Sequence, residues 1–185
     1  MRAQLERKIS EENLLRAARL IAEQKFHRMK IYEMIGAPHE TADDADELVR
    51  FVTELAGITR ITLTFSTFVA KRNTPLDGSP FLGIREAEER LRTIRRGLRG
   101  RVQMRPQPPK WAYVEYELAQ RGVEVGYAAI EAVYAGGSFA AWKRSLGRLG
   151  PNKRTLVYGN ERAVARRRGL AQRPVPLRTI DRGAS

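Results

Sequence analysis

The feature that most constrains the fold is an alternation of helix-like and strand-like segments through the first 105 residues. Apolar residues recur at three-to-four spacing in the longer segments, whereas β-branched and aromatic residues crowd the short ones. Strands joined by helix-length connections pair in parallel through right-handed crossovers. The sequence therefore predicts an α/β fold, with a helix beginning after Ser10, strands at Met29–Ile35, Ile58–Phe65 and Arg101–Arg105, and helices at Thr41–Ala56 and Ile84–Leu98 between them.

The remainder of the chain divides into two parts with different compositions. Residues 106–149 predict a helical extension, with short helices at 111–120, 125–134 and 139–146. From Gly150 to Ser185 there are nine basic and two acidic residues and little periodic apolar material, which predicts an extended, disordered basic tail. We thus expect a β/α unit at 1–105, the extension at 106–149 and the tail at 150–185.

Charge and cysteine content narrow the classes of function. The 185 residues carry a formal net charge of +13 and no cysteine, which excludes disulfides, thiolate nucleophiles and a self-held iron–sulfur cluster. Two histidines also predict no metal site. The apolar runs are too short for a membrane span and the N-terminus lacks a signal peptide, so we expect a cytoplasmic protein without a membrane partner.

The first candidate site is the Gly-x-Pro turn that follows the first predicted strand. Ligands of parallel α/β folds bind beyond the carboxyl ends of the strands, where this turn lies. Gly36 would let a ligand approach the backbone, Pro38 would stiffen the loop, and Glu40 would accept hydrogen bonds. The donors to Glu40 could belong to a ligand or be the amides of the loop itself. His39 and His27 are most simply structural.

The second candidate site is the loop after the next strand, on the same edge of the sheet. Lys71 and Arg72 could meet an anionic group, and Thr74-Pro75 would fix the return of the chain. The alternative is a solvated loop with two cations. The arginines of the third helix, between Arg90 and Arg101, have nearby acidic residues and favour a solvated face.

Three groups of residues together resemble the C-terminal half of a radical S-adenosylmethionine (SAM) barrel. Lys8 to Glu12, Met29 to Tyr32 and Met34-Ile35-Gly36-Ala37-Pro38-His39-Glu40-Thr41 are similar to that family's K-L-Y-F-M-I-G-L-P-x-E-T region. The run from Phe68 to Pro75 resembles its F-V-P-K-P-x-T-P segment. Trp111-Ala112, Arg121-Gly122 and Phe139 to Trp142 resemble the helical extension of the cobalamin-domain-containing branch.

The resemblance implies a partial, incomplete parallel β/α barrel of about three strands that supplies one wall of a SAM and substrate pocket. By position it assigns Ile35, Gly36, Pro38 and Glu40 to SAM binding, and Phe68, Lys71 and Thr74 to the loop that closes the pocket. Ala37, His39, Ala70 and Arg72 depart from the family pattern. The family's iron–sulfur loop, CxxxCxxC, and its cobalamin domain have no counterpart in this cysteine-free sequence.

Two hypotheses of function follow from these observations. In the first, the chain is a radical SAM enzyme fragment that is inactive alone and needs an N-terminal half from another chain; Met29 to Ile35 is then an exposed edge that binds this partner or self-associates. In the second, the chain is a small arginine-rich protein that binds nucleic acid or a partner through the basic tail. A third hypothesis is a pseudoenzyme or assembly subunit.

Overall fold

The computed structural model describes residues 9–151, which form six helices and three strands. The predicted tail from residue 152 onward lies outside the described residues. In chain order the elements are α1 (Glu11–Glu23), β1 (Met29–Ile35), α2 (Ala42–Ile58), β2 (Ile61–Thr67), α3 (Ile84–Leu98), β3 (Gln103–Pro106), α4 (Pro109–Gln120), α5 (Glu124–Tyr134) and α6 (Phe139–Arg148). The predicted α/β class is confirmed.

The three strands form one sheet in the order β1-β2-β3, and both pairs are parallel. Residue 29 pairs with residue 61, and residue 62 pairs with residue 103. The connection from each strand to the next contains one helix, as parallel pairing requires. The arrangement is that of a partial β/α fold, and among the described residues β1 has a paired neighbour on one side only.

The apolar core lies between one face of this sheet and the helices. Strand residues such as Ile31, Leu63 and Phe65 are buried there. They pack with Ala18 of α1 and with the apolar stripes of α2 and α3, which are Phe51, Val52 and Leu55 in α2 and Leu91, Ile94 and Leu98 in α3. These stripes were predicted from their spacing, and burying them fixes both helices against the same face of the sheet.

Capping residues fix where the first two helices begin. The hydroxyl of Ser10 accepts a hydrogen bond from the Asn13 amide at 3.1 Å, as the sequence predicts. At the start of α2 the Thr41 amide donates to Asp44 at 2.8 Å. The predicted end of this helix at Ala56 is wrong, because α2 continues through Gly57 to Ile58, and β2 begins at Ile61, three residues later than predicted.

The helical extension folds against the carboxyl edge of the sheet. In α4, Tyr116 is buried beside Ala37 and Phe68, so this helix covers the ends of β1 and β2. Val125 and Ala128 of α5 pack with Leu146 of α6. None of the described helices is long and apolar enough to cross a bilayer.

Among residues 9–151, no helix of the main core covers the second face of the sheet, which has a different chemistry. The strand register aligns its side chains in three rows: Lys30, Thr62 and Gln103; Tyr32, Thr64 and Arg105; Met34 and Ser66. We call this surface the open face. Its residues are mainly polar, and Tyr32 is a large side chain exposed among them.

Candidate binding site at the carboxyl edge of the sheet

The two motif loops meet at the carboxyl edge of the sheet. The first follows β1 and runs from Gly36 to Glu40, and the second follows β2 from Phe68 onward. The Phe68 amide donates a 2.7 Å hydrogen bond to the carbonyl of Ile35, which joins the loops where the two strands end. Residues that are more than 30 positions apart in the chain are thus brought together, as parallel pairing predicts.

Gly36 turns the chain sharply at the end of β1. Its φ is 81°, in the left-handed region, where side chains with a Cβ atom are strained. A Cβ atom there would also lie 3.0 Å from the Cβ of Leu82. The position therefore requires glycine for its backbone conformation and for the close approach of the 82–83 segment.

Glu40 folds back onto the turn that it follows. Its carboxylate accepts hydrogen bonds from the amides of Gly36 and Ala37, the latter at 3.2 Å. The side chain of Glu40 is 4% exposed. Of the two interpretations left open by the sequence, the structure shows the one in which Glu40 binds the amides of its own loop. Glu40 thus holds the turn and is turned away from solvent.

Arg90 completes this arrangement from a distant part of the chain. Its Nη1 atom lies 2.8 Å from Oε1 of Glu40, an ion-pair contact without hydrogen-bond geometry, and its side chain is 17% exposed. The sequence placed Arg90 with the solvated arginines of α3, next to Glu86, which it also approaches at 3.5 Å. No local pattern could reveal the link to Glu40, because that residue lies fifty positions earlier.

The second loop is partly packed and partly exposed. Phe68 is buried with Ala37 and Tyr116, so its ring contributes to a small core at this edge. Lys71 is half exposed and forms an ion pair with Glu115 of α4. The Thr74 hydroxyl donates to the Lys71 carbonyl at 2.8 Å and shapes the return of the chain. The loop is therefore fixed against α4.

A buried ion pair in α4 stabilises the same edge. Glu117 and Arg121 are 5% and 8% exposed in their side chains and contact each other. Arg121 also donates to the Gly150 carbonyl at 2.9 Å, and Gln120 donates to the Ala70 carbonyl at 2.9 Å. Burial raises the pKa of nearby Tyr113, the Glu117 carboxylate raises it further, and Arg121 opposes both.

The residues assigned to SAM binding lie together but differ in accessibility. Ile35 and Gly36 are buried, Pro38 is half-buried, and the Glu40 side chain is 4% exposed. His39, which the resemblance does not assign, is exposed with a φ of 66°. Met34 and Ser66 lie next to this turn at the carboxyl end of the open face, where they are half-buried neighbours in the register.

Two shallow cavities lie outside the two motif loops. One is at the carboxyl end of β3, between α3 and the 106–109 segment, and the other lies between α5 and α6 beside Ile130 and Ser145. Within residues 9–151 no three acidic or histidine side chains cluster in a way that would hold a metal ion. At the carboxyl ends of β1 and β2, the groups that a ligand could contact are the backbone of the Gly36 turn and the last residues of the open face.

Comparison with known protein families, curated proteins and solved structures finds no match to this chain.

Proposed function

We propose that this chain is the C-terminal part of a radical SAM enzyme and supplies one wall of its SAM and substrate pocket. The observation that carries the proposal is a parallel sheet with helices on one face and an open second face. Parallel sheets occur almost only where both faces are covered. The open face of β1, β2 and β3 thus favours a chain that works together with further structure.

The arrangement of the motif loops supports the same proposal. The Gly36 turn and the Phe68 loop resemble two segments of one family and are hydrogen-bonded to each other at a single edge. Glu40 and Arg90 hold the first loop, and Glu115 holds Lys71 of the second. A preformed edge of this kind reduces the ordering cost of ligand binding.

In this proposal the chain binds and orients SAM and the substrate, and another chain supplies the iron–sulfur cluster. SAM bound beside a reduced iron–sulfur cluster supplies radical chemistry, and the cysteine-free sequence provides no thiolate for that cluster. The Gly36–Ala37 backbone, with Met34 and Ser66 beside it, would position SAM. Cobalamin, where used, would also belong to the N-terminal part, and so would the iron–sulfur cluster.

Titration of the full chain with SAM tests the part of the proposal that concerns binding. We expect saturable amide shifts in ¹⁵N NMR spectra at Gly36, Ala37 and His39. Gly36→Ala should raise the SAM concentration needed for half-maximal shifts at least tenfold, because the added Cβ meets Leu82 and strains a φ of 81°.

Gly57→Ala is the matched control, since a Cβ at that position in α2 meets nothing within 4 Å. This variant should bind SAM like the original chain. If millimolar SAM moves no amide near Gly36, or if both variants respond equally, the pocket-wall proposal fails.

Reconstitution tests the part that concerns catalysis. The full chain should be co-purified anaerobically with the product of any adjacent reading frame that encodes CxxxCxxC. The complex should be brown and should cleave SAM, whereas the chain alone should do neither. A stable complex that binds no iron–sulfur cluster would contradict the enzyme proposal.

The nucleic-acid hypothesis for the tail rests on residues outside the described range and stays a prediction. Deleting residues 150–185 should then abolish salt-dependent binding of RNA or DNA. If the shortened chain still binds SAM, then SAM binding and nucleic-acid binding depend on different parts of the protein.

A further inference from the structure

The open face concentrates positive charge at the amino half of the sheet. Lys30 and Arg105 project from it at register positions, and Arg28 precedes β1 on the same side. None of the eight residues in its three rows is acidic. Among the described residues, no carboxylate forms an ion pair with any of these three cations.

Arg28 is held in place by neutral acceptors. Its Nη1 donates to the Thr62 hydroxyl at 3.0 Å and also contacts the Gln103 side-chain oxygen. The Thr62 hydroxyl in turn donates to Gln103 at 3.1 Å. Thr62 is 2% exposed, so the guanidinium lies across the sheet and leaves its charge unneutralised. A fixed arginine of this kind loses little conformational freedom when it binds an anion.

Tyr32 adds an aromatic surface beside the cations. It is 70% exposed, and the Lys30 Nζ atom lies 4.7 Å from the centroid of its ring. The hydroxyl of Thr64, its partner in the register, is buried without a hydrogen-bond partner in the described part of the chain. The same surface thus offers an exposed aromatic ring, which lies beside a buried hydroxyl.

The spacing of these groups suits one anionic ligand. Alternate residues along a strand are roughly 6–7 Å apart and neighbouring strands about 5 Å apart. Arg28, Lys30 and Arg105 therefore start from backbone positions about one to two Debye lengths apart at physiological salt, where their mutual repulsion is largely screened. A phosphate bound between their side chains would accept charge-assisted hydrogen bonds from them.

We infer that the amino half of the open face, formed by Arg28, Lys30, Tyr32 and Arg105, is a binding site for the phosphate group of a nucleotide, with the base beside the Tyr32 ring. The site lies on the strand segments opposite the Gly36 turn and does not depend on SAM binding there. A free nucleotide and a single-stranded nucleic acid share this chemistry, since stacking on tyrosine accepts any base.

Fluorescence and ³¹P NMR titrations of the full chain with adenosine monophosphate, inorganic phosphate and a ten-residue oligothymidine test the inference. We expect saturable binding of adenosine monophosphate that is at least threefold tighter than that of inorganic phosphate. Lys30→Gln with Arg105→Gln should weaken it at least tenfold, and Tyr32→Ala should abolish the preference over inorganic phosphate. Binding of oligothymidine that is more than 100-fold tighter than that of the monophosphate, and that Lys30→Gln with Arg105→Gln weakens at least tenfold, identifies nucleic acid as the source of the phosphate.

The matched control is Arg19→Gln with Arg85→Gln, which removes the same charge from α1 and α3 on the helix-covered side. This control should bind adenosine monophosphate within twofold of the original chain. Equal losses in the two double variants would show that net charge alone is responsible and would overturn the inference, as would the absence of saturation. Unchanged circular dichroism spectra would show that both variants fold, and SAM-induced shifts at Gly36 report the other site separately.

Discussion

At the scale of single residues, Glu40 shows how one buried carboxylate can define a loop. Two amides of the preceding turn point at it, and Arg90 supplies the opposite charge from another helix. Burying a charge is costly unless hydrogen bonds and a counter-charge compensate it. The Gly36 turn is therefore held by a set of contacts in which each member depends on the others.

Glu40→Gln should lower the free energy of unfolding by about 2–4 kcal/mol, because it removes the buried counter-charge of Arg90 and leaves only the half-exposed Glu86 carboxylate, at 3.5 Å. Urea denaturation followed by circular dichroism measures the change. Glu89→Gln is the control, because the Glu89 carboxylate lies 3.7 Å from Arg85, whose side chain is 93% exposed. The loss in free energy of unfolding should therefore stay below about 0.5 kcal/mol. Equal losses in the two variants would show that Glu40 has no special role.

At the scale of secondary structure elements, α2 and α3 approach closely at a glycine. The Cβ of an alanine at Gly97 would lie 2.8 Å from a methyl carbon of Val49. Both helices are fixed to the sheet by their apolar stripes, so neither can move away freely. Gly97 thus sets how near the two helices lie above the strands.

Gly97→Ala should destabilise the protein by about 1–3 kcal/mol through overpacking, although alanine is the better helix former. Adding Val49→Ala should recover part of the loss, since it removes the methyl groups in the way. Gly147→Ala in α6, where a Cβ meets nothing within 4 Å, should be neutral or slightly stabilising. Additive effects of the two substitutions in thermal unfolding would contradict the close contact.

The element predictions succeeded where the signal was local. The bounds of β1 and α3 follow from a short β-prone run and from a regular apolar stripe, and both were predicted correctly. The predicted end of α2 at Ala56 is two residues early, because one glycine of low helix propensity, Gly57, does not end a helix that is packed on the sheet. The Glu40–Arg90 contact and the grouping of Arg28, Lys30 and Arg105 on the open face depend on tertiary contacts and register, which sequence spacing alone does not specify.

At the scale of the whole molecule, the described residues leave two surfaces without a covering element. One is the open face with the unpaired edge of β1. The other is the outer side of α5, where the exposed apolar residues include Val123, Tyr127, Ile130 and Tyr134. This helix is apolar on two sides, a pattern typical of helices that are buried on both.

We expect the isolated full chain to self-associate at concentrations of tens of micromolar, because both surfaces expose groups that other chains can bind. Size-exclusion chromatography with light scattering measures the mass. Lysine substitutions at Ile130 and Tyr134 should lower the average mass without changing the circular dichroism spectrum. A single 21.0 kDa species at the highest attainable concentration would contradict this expectation.

The order of the strands bears on how the protein is made on the ribosome. Because β1, β2 and β3 lie side by side in the order of synthesis, each strand joins the one completed before it. We therefore expect the first pair to form once residues 61 to 67 have left the exit tunnel, before β3 adds to the free side of β2. The three described strands can thus assemble one after another during translation.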